Sequence, residues 1–401
     1  MTTEELTSQI RSDRQLLNVP FQLRELSGMA RGNWIVAAGR QRGKSCALAQ
    51  LIYQRTRQRE DRRLYGVEPI VLSLRQEIYR CTTACQLSEA LVPLIAQGRV
   101  LLCLDDVDLL VDWPELLVKV VAPNIEIIAT MSEYSVRQIA EDGELRERFA
   151  IRYLADLTLH EYLRMSKPKY SDALNDFVRW GGYPGVLLSP NDRSECQQRL
   201  FRTLFYEELL PQVRNEAALR MILHLLAEHL GEEVSYNGVC QLLQKRGIKV
   251  GVTTVAEYIT MLERERLICS IKCYSAQNTR LPKQRYWFVD NGLLSLFLPS
   301  SQMQEQLLRN TMAQVVVREY RNVVIYYASQ RNASVDFYIP ERGIAIMLCA
   351  QEGTVPEAVR NLQRFGRQHS VLHKYIYTVG KISDLLPRGI FNRYLPEWRS
   401  L

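Results

Sequence analysis

The chain has 401 residues, 47% hydrophobic and 24% charged, and this composition excludes a largely disordered chain and a fibrous repeat. Fifty-one Lys and Arg against 44 Asp and Glu give a net charge of +7, a mild excess that suits a polyanionic partner without requiring one. No apolar run reaches the roughly 18 residues that cross a bilayer, and the polar start lacks a signal-peptide stretch. We therefore expect a soluble cytoplasmic protein of two or three domains with no membrane contact.

The first third of the chain alternates short apolar runs with helical patterns. The runs at residues 33–38, 69–74, 99–104 and 125–130 predict strands, and the apolar period of residues 46–57 predicts a helix. Such alternation is typical of an α/β fold with a parallel sheet and helices on both faces. Ligands of such sheets bind at the carboxyl ends of the strands, and the polar motifs of this region fall there.

A phosphate-loop pattern follows the first predicted strand. Gly39-Arg-Gln-Arg-Gly-Lys-Ser45 departs from the full pattern only at Ala38, where the pattern has Gly. In such a loop the backbone amides point at phosphate oxygens, Lys44 supplies charge to the β and γ phosphates, and the Ser45 hydroxyl ligates Mg²⁺. The Gly-Lys-Ser trio is weak by itself, and its position between a strand and a helix strengthens it.

Two adjacent carboxylates close the third predicted strand. Asp105 is expected to hold the magnesium through its water shell, and Asp106 to orient or deprotonate the attacking water. A solvated, turn-forming loop after a buried strand is the alternative for both. At the end of the fourth strand, Thr130 and Ser132 either bond the γ phosphate or water, or simply cap a turn.

Four motifs in order resemble those of a large group of prokaryotic AAA-type ATPases related to the archaeal ATPase superfamily. Ala38-Gly-Arg-Gln-Arg-Gly-Lys-Ser45 resembles their G-P-R-Q-V-G-K-T loop, and Leu104-Asp-Asp-Val-Asp108 is similar to L-D-E-I-Q. Arg148 followed by Leu154-Ala-Asp-Leu-Thr-Leu-His-Glu-Tyr-Leu163 resembles their Arg and L-x-P-L-S-F-x-E-F-L segment. Gly181-Gly-Tyr-Pro184 resembles G-G-F-P.

The resemblance implies an ATPase that binds ATP or ADP with Mg²⁺. Asp106 and Arg148 are the expected catalytic residues, Arg148 as an arginine finger, and exposed helix charge is the alternative for Arg148. Asp106 in place of Glu and Ala38 in place of Gly put the rate of hydrolysis in doubt. The expected metal ligands are Ser45 and Asp105, and the expected nucleotide contacts are Gly39, Arg40, Gln41, Arg42, Gly43, Lys44, Ser45, Cys46 and Thr130. For Arg42, solvation at the surface is the alternative.

The resemblance also implies four parts: a P-loop ATPase core over residues 1–165, a helical lid over 166–232, a winged helix over 233–297 and a nuclease-like α/β domain over 298–401. The predicted helices at 235–243 and 253–262 form a helix-turn-helix pattern. Strands at 267–271 and 286–289 flank a polar hairpin whose cations could contact duplex DNA, although the same module often packs against protein; these cations are Lys272, Arg280, Lys283 and Arg285.

The last hundred residues resemble a restriction-endonuclease-like domain that lacks its chemistry. Asp336 matches the first carboxylate of the family's metal site, but Met347 and Cys349 stand where active members have Glu and Lys, and Ser334 also replaces a Glu. Without the second carboxylate and the lysine we expect no nuclease activity.

Three hypotheses follow. The first is a nucleotide-driven switch that hydrolyses ATP slowly and moves its lid and winged helix. The second is a non-catalytic interaction module that keeps ATP or ADP as a structural ligand, and the third is a DNA-binding component. The sequence also leaves open a protein partner and a homo-oligomer.

Overall fold

The computed structural model describes residues 2–13, 16, 24, 26, 28–39, 41–57, 69–96, 98–133, 135–166, 170–274, 283–329, 333–382 and 386–394. The chain divides into two compact units, Met1–Leu157 and Thr158–Leu401. Each unit is described by itself below. The expected division into four parts stays a prediction.

The first unit is an α/β domain with a parallel five-stranded sheet of order β2-β3-β4-β1-β5. The four predicted strands are confirmed, and β5 is an additional edge strand. The strands are β1 (Trp34–Ala37), β2 (Ile70–Ser73), β3 (Val100–Asp105), β4 (Ile125–Met131) and β5 (Ala150–Tyr153). The helices are α1 (Thr3–Ser12), α2 (Lys44–Arg57), α3 (Glu77–Arg80), α4 (Ala84–Ile95), α5 (Trp113–Val120), α6 (Val136–Glu141) and α7 (Gly143–Arg148), with a 3-10 turn at Val107–Leu109.

The sheet of the first unit is covered on both faces. Because successive strand residues point to opposite sides, their side chains pack into two separate cores. Val36 and Cys103 face one core together with Leu48 and Ile52 of α2. The alternate strand residues face a second core that α4 and α5 cover, including Leu104, Leu91 and Leu117. Such burial accounts for the continuous apolar runs of these strands and fixes which edge of the sheet carries the polar loops.

The second unit joins helices to an eight-stranded mixed sheet of order β13-β12-β11-β10-β9-β7-β8-β6. Its helices are α8 (Leu159–Ser166), α9 (Tyr170–Trp180), α10 (Pro184–Leu187), α11 (Arg193–Arg202), α12 (Glu216–Glu228), α13 (Tyr236–Lys245), α14 (Val252–Arg264), α15 (Asn291–Ser295), α16 (Met303–Glu319) and α17 (Val355–Gln368). A π-helical turn at Thr203–Leu209 and 3-10 turns at Leu210–Gln212, Pro340–Arg342 and Glu352–Thr354 complete the helical segments. Its strands are β6 (Glu233–Val234), β7 (Ile268–Cys273), β8 (Gln284–Phe288), β9 (Tyr326–Ala328), β10 (Val335–Ile339), β11 (Ile344–Cys349), β12 (His373–Thr378) and β13 (Ile390–Tyr394).

A buried carboxylate joins the Gly181-Gly-Tyr-Pro184 motif to the start of α15 in the second unit. The Asp290 carboxylate accepts hydrogen bonds from the backbone N–H of Gly182 at 2.7 Å and of Leu293 at 3.0 Å. Asn291 Nδ2 donates to the Val178 carbonyl at 2.7 Å. The chain turns sharply at the two glycines of the Gly181-Gly-Tyr-Pro184 motif, where Gly181 has a φ of 76°. Asp290 therefore ties this turn to the start of α15.

Candidate functional site

Polar residues of three segments meet at the carboxyl edge of the first unit's sheet. The loop 38–43 follows β1, Asp105 ends β3, and Thr130 lies near the end of β4. The register places Ala37 opposite Met131 and Ser73 opposite Asp105, so these strand ends lie side by side. This edge is where a parallel sheet binds ligands.

The loop between β1 and α2 has the backbone geometry of a tight, glycine-dependent turn. Gly43 has a φ of 81°, a region that glycine enters without strain, and Gln41 also has a positive φ of 60°. A side chain at Gly39 would approach Arg42 Nε to 3.0 Å. Ala38 is fully buried, and its backbone N–H donates to the Met131 carbonyl at 3.2 Å. Arg40 lies outside the described residues.

The Ser45 hydroxyl and Thr130 hydroxyl both donate to the Asp105 carboxylate. Ser45 Oγ lies 2.7 Å from Asp105 Oδ2, and Thr130 Oγ1 lies 2.7 Å from Asp105 Oδ1. Thr130 Oγ1 also accepts from the backbone N–H of Asp106 at 2.8 Å. Thr130 is fully buried, and in this arrangement its hydroxyl positions the two aspartates.

The Asp106 carboxylate lies between two cations. Lys44 Nζ is 3.2 Å from Asp106 Oδ1 and 3.2 Å from the Ala38 carbonyl oxygen, and Arg75 Nε pairs with Asp106 Oδ2. Asp106 is in the left-handed region with φ 50° and ψ 52°, where β3 ends and the 3-10 turn at Val107–Leu109 begins. Arg75 was not a predicted site residue. One feature of the sequence could have indicated Arg75: it is a cation two residues after β2, and the polar site residues also follow the ends of the other strands.

The two aspartates differ in what surrounds them. Burial, followed by the neighbouring Asp106 carboxylate, raises the pKa of Asp105, while the hydrogen bonds from Thr130 and Ser45 act in the opposite direction. Asp105 is only 1% exposed and receives two hydroxyl donors. Burial, helped by Asp105, also raises the pKa of the Cys46 thiol in the first turn of α2, so that Cys46 is a neutral thiol near neutral pH.

Arg42 is buried, not solvated. It is 3% exposed, and its Nε lies 3.2 Å from Oδ1 of Asp156, which is 1% exposed. Arg24 braces the same loop, with Nη1 donating to the Arg42 carbonyl at 3.3 Å and Nη2 to the Ala155 carbonyl at 2.6 Å. The Arg42 guanidinium is therefore engaged with the residues that follow β5, and Asp156 is a partner that the sequence analysis did not identify.

Asp108 and Ser132 form a separate hydrogen-bonded turn. Asp108 Oδ2 accepts from the Ser132 N–H at 2.9 Å and from the Ser135 hydroxyl at 2.7 Å. The Ser132 and Ser135 hydroxyls lie 2.8 Å apart. These contacts correspond to the turn-capping alternative for Ser132.

Arg148 lies at the amino ends of the strands, whereas Lys44 lies at their carboxyl ends. Arg148 ends α7 and precedes β5, whose first residue Ala150 pairs with Trp34 at the start of β1. There Arg148 borders a groove of about 470 Å³ together with Arg31 and Arg99. Its Nη2 lies 2.8 Å from Glu144 Oε1. The length of a four-residue strand, about 13 Å, separates this edge from the loop.

The first carboxylate of the nuclease-like pattern is already satisfied. Asp336 Oδ1 lies 3.0 Å from Arg285 Nη1, and Asp336 Oδ2 accepts from the Leu348 N–H at 2.8 Å. Burial raises the pKa of the Cys349 thiol to about 11, so it is neither an anion nor a replacement for lysine at neutral pH. Glu319 accepts from Tyr377 Oη at 3.0 Å and pairs with Arg393 at 2.7 Å.

The cations expected on the wing differ in their contacts. Arg285 is held by Asp336, Lys283 lies 3.4 Å from Glu233, and Lys272 is exposed on β7. Arg280 lies outside the described residues. The exposed side of α14 carries Thr253 and Thr260 beside a carboxylate, Glu257.

A family model described as "Domain of unknown function (DUF8612)" matches residues 171–304. "Uncharacterized protein MJ1544" of Methanocaldococcus jannaschii is 22% identical over 234 residues, which cover 54% of this chain and 52% of that protein. The chain thus spans about half the length of this curated relative.

Two solved structures are similar at low identity. The Walker-type ATPase PABY2304 of Pyrococcus abyssi is 15% identical, with 70% of this chain and 99% of that chain covered and a TM-score of 0.41. The Aeropyrum pernix ORC1 protein in complex with DNA is 12% identical, with 78% and 93% covered and a TM-score of 0.35. At these values, function has to be inferred from this chain's own residues. Among the described residues, no helix combines the length and the apolarity that crossing a membrane requires.

Proposed function

We propose that the chain binds ATP with Mg²⁺ at the loop 38–45 and hydrolyses it slowly. The observation that carries this proposal is the 2.7 Å hydrogen bond between Ser45 Oγ and Asp105 Oδ2, with the Lys44 amine 3.2 Å from the adjacent Asp106 carboxylate. A hydroxyl and a carboxylate on a phosphate loop are the hard oxygen donors that Mg²⁺ prefers. The donor set therefore fits the metal that the nucleotide requires.

In this proposal Ser45, and Asp105 through the water shell, would hold the metal, which would supply positive charge next to the phosphates. The Lys44 amine moves from the Ala38 carbonyl and Asp106 to the β and γ phosphates. Backbone amides of Gly43 and of the first turn of α2 face the same phosphates. Loss of the ion pair with Lys44 is offset by the new pairs between Lys44 and the nucleotide.

Asp106 is the proposed base for the attacking water. In the structure its carboxylate is paired with Lys44 and Arg75, so the proposal requires at least one of these cations to move to the phosphates before a water can reach it. Because Arg148 lies at the opposite edge of the sheet, an arginine-finger role requires Arg148 from a second copy of the chain. We accordingly propose a homo-oligomer as the hydrolysing form.

The second unit is proposed as the part whose position the nucleotide controls. In our proposal residues 166–232 form the lid, residues 233–297 a winged helix and residues 298–401 a nuclease-like domain without nuclease activity. The pairing of Asp336 with Arg285 supports a structural role for that carboxylate, because a metal there would have to displace a buried cation.

Thermal denaturation with and without Mg-ATP tests the binding proposal. Lys44→Ala should abolish the ATP-induced rise in melting temperature while the unliganded chain stays folded. Lys119→Ala is the matched control, because Lys119 is a lysine of the same unit that pairs with Glu115 on a solvated helix face. An equal ATP-induced rise in the wild type and in Lys44→Ala would refute the proposal.

Non-catalytic nucleotide binding is the second candidate. It is favoured by the two cations that hold Asp106 and by the shorter side chain of Asp compared with Glu. Phosphate release measured against Asp105→Asn separates the two candidates. Turnover well above that of Asp105→Asn would exclude non-catalytic binding, whereas equal rates with intact ATP binding would exclude the hydrolytic switch.

A further inference from the structure

An exposed row of arginines runs along α17 in the second unit. Arg360, Arg364 and Arg367 are all exposed, whereas Leu362 and Phe365 of the same helix are buried against the sheet. At 100° and 1.5 Å per residue the three arginines lie within about 60° of one another and span about 10 Å of helix. They therefore form one line on the outer face of the helix.

Other helices of this chain pair their cations with acidic residues one turn earlier. Such pairs join Arg148 to Glu144, Arg199 to Glu195 and Arg220 to Glu216. In α17 the residues four positions before its arginines are Pro356, Arg360 and Gln363, none of which is acidic. Within the described part of the chain, neither Arg360 nor Arg367 has an ion-pair partner.

The helix dipole accounts for only part of this row. A cation in the last turn is favoured there, and Arg367 occupies that position. Arg360 lies near the middle of the helix, where the dipole has no net effect. Glu357 is the acidic residue of the first turn, and no carboxylate follows it within α17.

A fourth cation reaches the same helix from the sheet. Lys374 of β12 lies across Gly366, and its Nζ would be 3.1 Å from a side-chain carbon placed there. A glycine inside a helix costs about 1 kcal/mol relative to alanine, and at this position it leaves room for the lysine stem. Gly366 therefore has a packing reason, the Lys374 stem, on a side of α17 that lies about 100° or more from the three arginines.

We propose that α17, with Arg360, Arg364 and Arg367, contacts the phosphate backbone of duplex DNA. Duplex DNA carries one negative charge per about 1.7 Å of axis, so a row of cations 10 Å long faces several phosphates at once. Arginine is well suited to such contacts because its planar guanidinium donates two parallel hydrogen bonds to a phosphate. The exposed side of α14, where a helix-turn-helix would read bases, instead presents two threonines and Glu257.

Fluorescence anisotropy with a labelled mixed-sequence duplex of about 20 base pairs tests this proposal over a range of salt concentrations. The triple variant Arg360→Gln, Arg364→Gln, Arg367→Gln should bind more weakly, and the slope of log affinity against log salt should fall by about 2.7, which is about 0.9 for each of three lost contacts. The corresponding triple Lys variant should keep the wild-type slope.

The charge-matched control replaces three exposed arginines elsewhere, Arg146, Arg199 and Arg202, with glutamine. An equal loss in this control would show that net charge alone is responsible and would overturn the proposal. Thr253→Glu with Thr260→Glu tests α14, and loss of binding there with none in the α17 variant would also overturn it. So would binding to phosphatidylserine vesicles without binding to the duplex. The titrations contain no nucleotide, so this test does not depend on nucleotide binding.

Discussion

Gly181→Ala should destabilise the second unit much more than Gly185→Ala, four residues away. Gly181 has a φ of 76°, and a β-carbon there would overlap both carboxylate oxygens of Asp290. Gly185 lies in α10, and no atom is within 4 Å of a β-carbon placed on it. The two substitutions add the same methyl group to nearby positions and differ in backbone conformation and in space.

The size of the effect follows from two costs. An L-residue in the left-handed region costs about 1–2 kcal/mol. Moving Asp290 away breaks its buried hydrogen bonds to the Gly182 and Leu293 amides, which we expect to cost a further 1–3 kcal/mol, roughly. We therefore expect a loss of about 2–5 kcal/mol for Gly181→Ala. Gly185→Ala should instead gain about 0.5–1 kcal/mol, because alanine reduces the entropy of the unfolded chain and favours helix.

Urea denaturation followed by circular dichroism measures both variants. Gly181→Ala should lower the midpoint without changing the slope, and Gly185→Ala should leave it unchanged or raise it slightly. In an Asp290→Ala background, Gly181→Ala should cost only about 1–2 kcal/mol, because the obstructing carboxylate and its hydrogen bonds are already absent and only the left-handed backbone cost remains. Equal midpoints for the two glycine variants would refute the reasoning.

Two further predictions concern buried charge in the first unit. Asp105→Asn should raise the melting temperature of the ligand-free protein at neutral pH, because it removes a buried charge beside Asp106. This gain should shrink as pH falls through the raised pKa of Asp105, because the wild-type carboxyl becomes neutral as well. A gain that does not vary with pH in melts from pH 4 to 8 (roughly the range above the ordinary aspartate value) would contradict this account. Asp156→Ala should lower the free energy of unfolding by about 3 kcal/mol, because it leaves Arg42 buried without its carboxylate. Glu195→Ala breaks an exposed pair with Arg199 and should lower it by about 0.5 kcal/mol or less. Equal losses for the two variants in chemical denaturation would argue against this distinction.

The central strands of the first unit could be predicted because a strand that is buried on both faces has a continuous run of apolar residues. β1 and β3 were located to within a residue or two, and the positions of Lys44 and Asp105 followed from the strand ends. β5 gave no such signal because it is an edge strand, Ala150–Tyr153, with residues that are only partly buried. Its pairing with β1 depends on contacts between distant segments.

Pairings between distant residues were not predictable either. Arg42 and Asp156 are ordinary charged residues in the sequence, and only the fold brings them together in the interior. The same is true of the parallel pairing of β7 with β9, which continues one sheet across the boundary predicted at residue 297. Periodicity reports which face of an element is apolar, but it does not report which distant element covers that face or completes its sheet.

The adjacent aspartates show how one dipeptide acquires two chemical roles. Asp105 receives hydrogen bonds from two hydroxyls, and burial together with the Asp106 charge raises its pKa, although the Arg75 charge opposes this rise. Asp106 instead pairs with Lys44 and Arg75. In the proposed site a divalent cation would pair with Asp105, whose charge is opposed by burial, whereas Asp106 already has two cations beside it. Consecutive residues at a strand end point to different sides, so one dipeptide can present one carboxylate to two hydroxyls and the other to two cations.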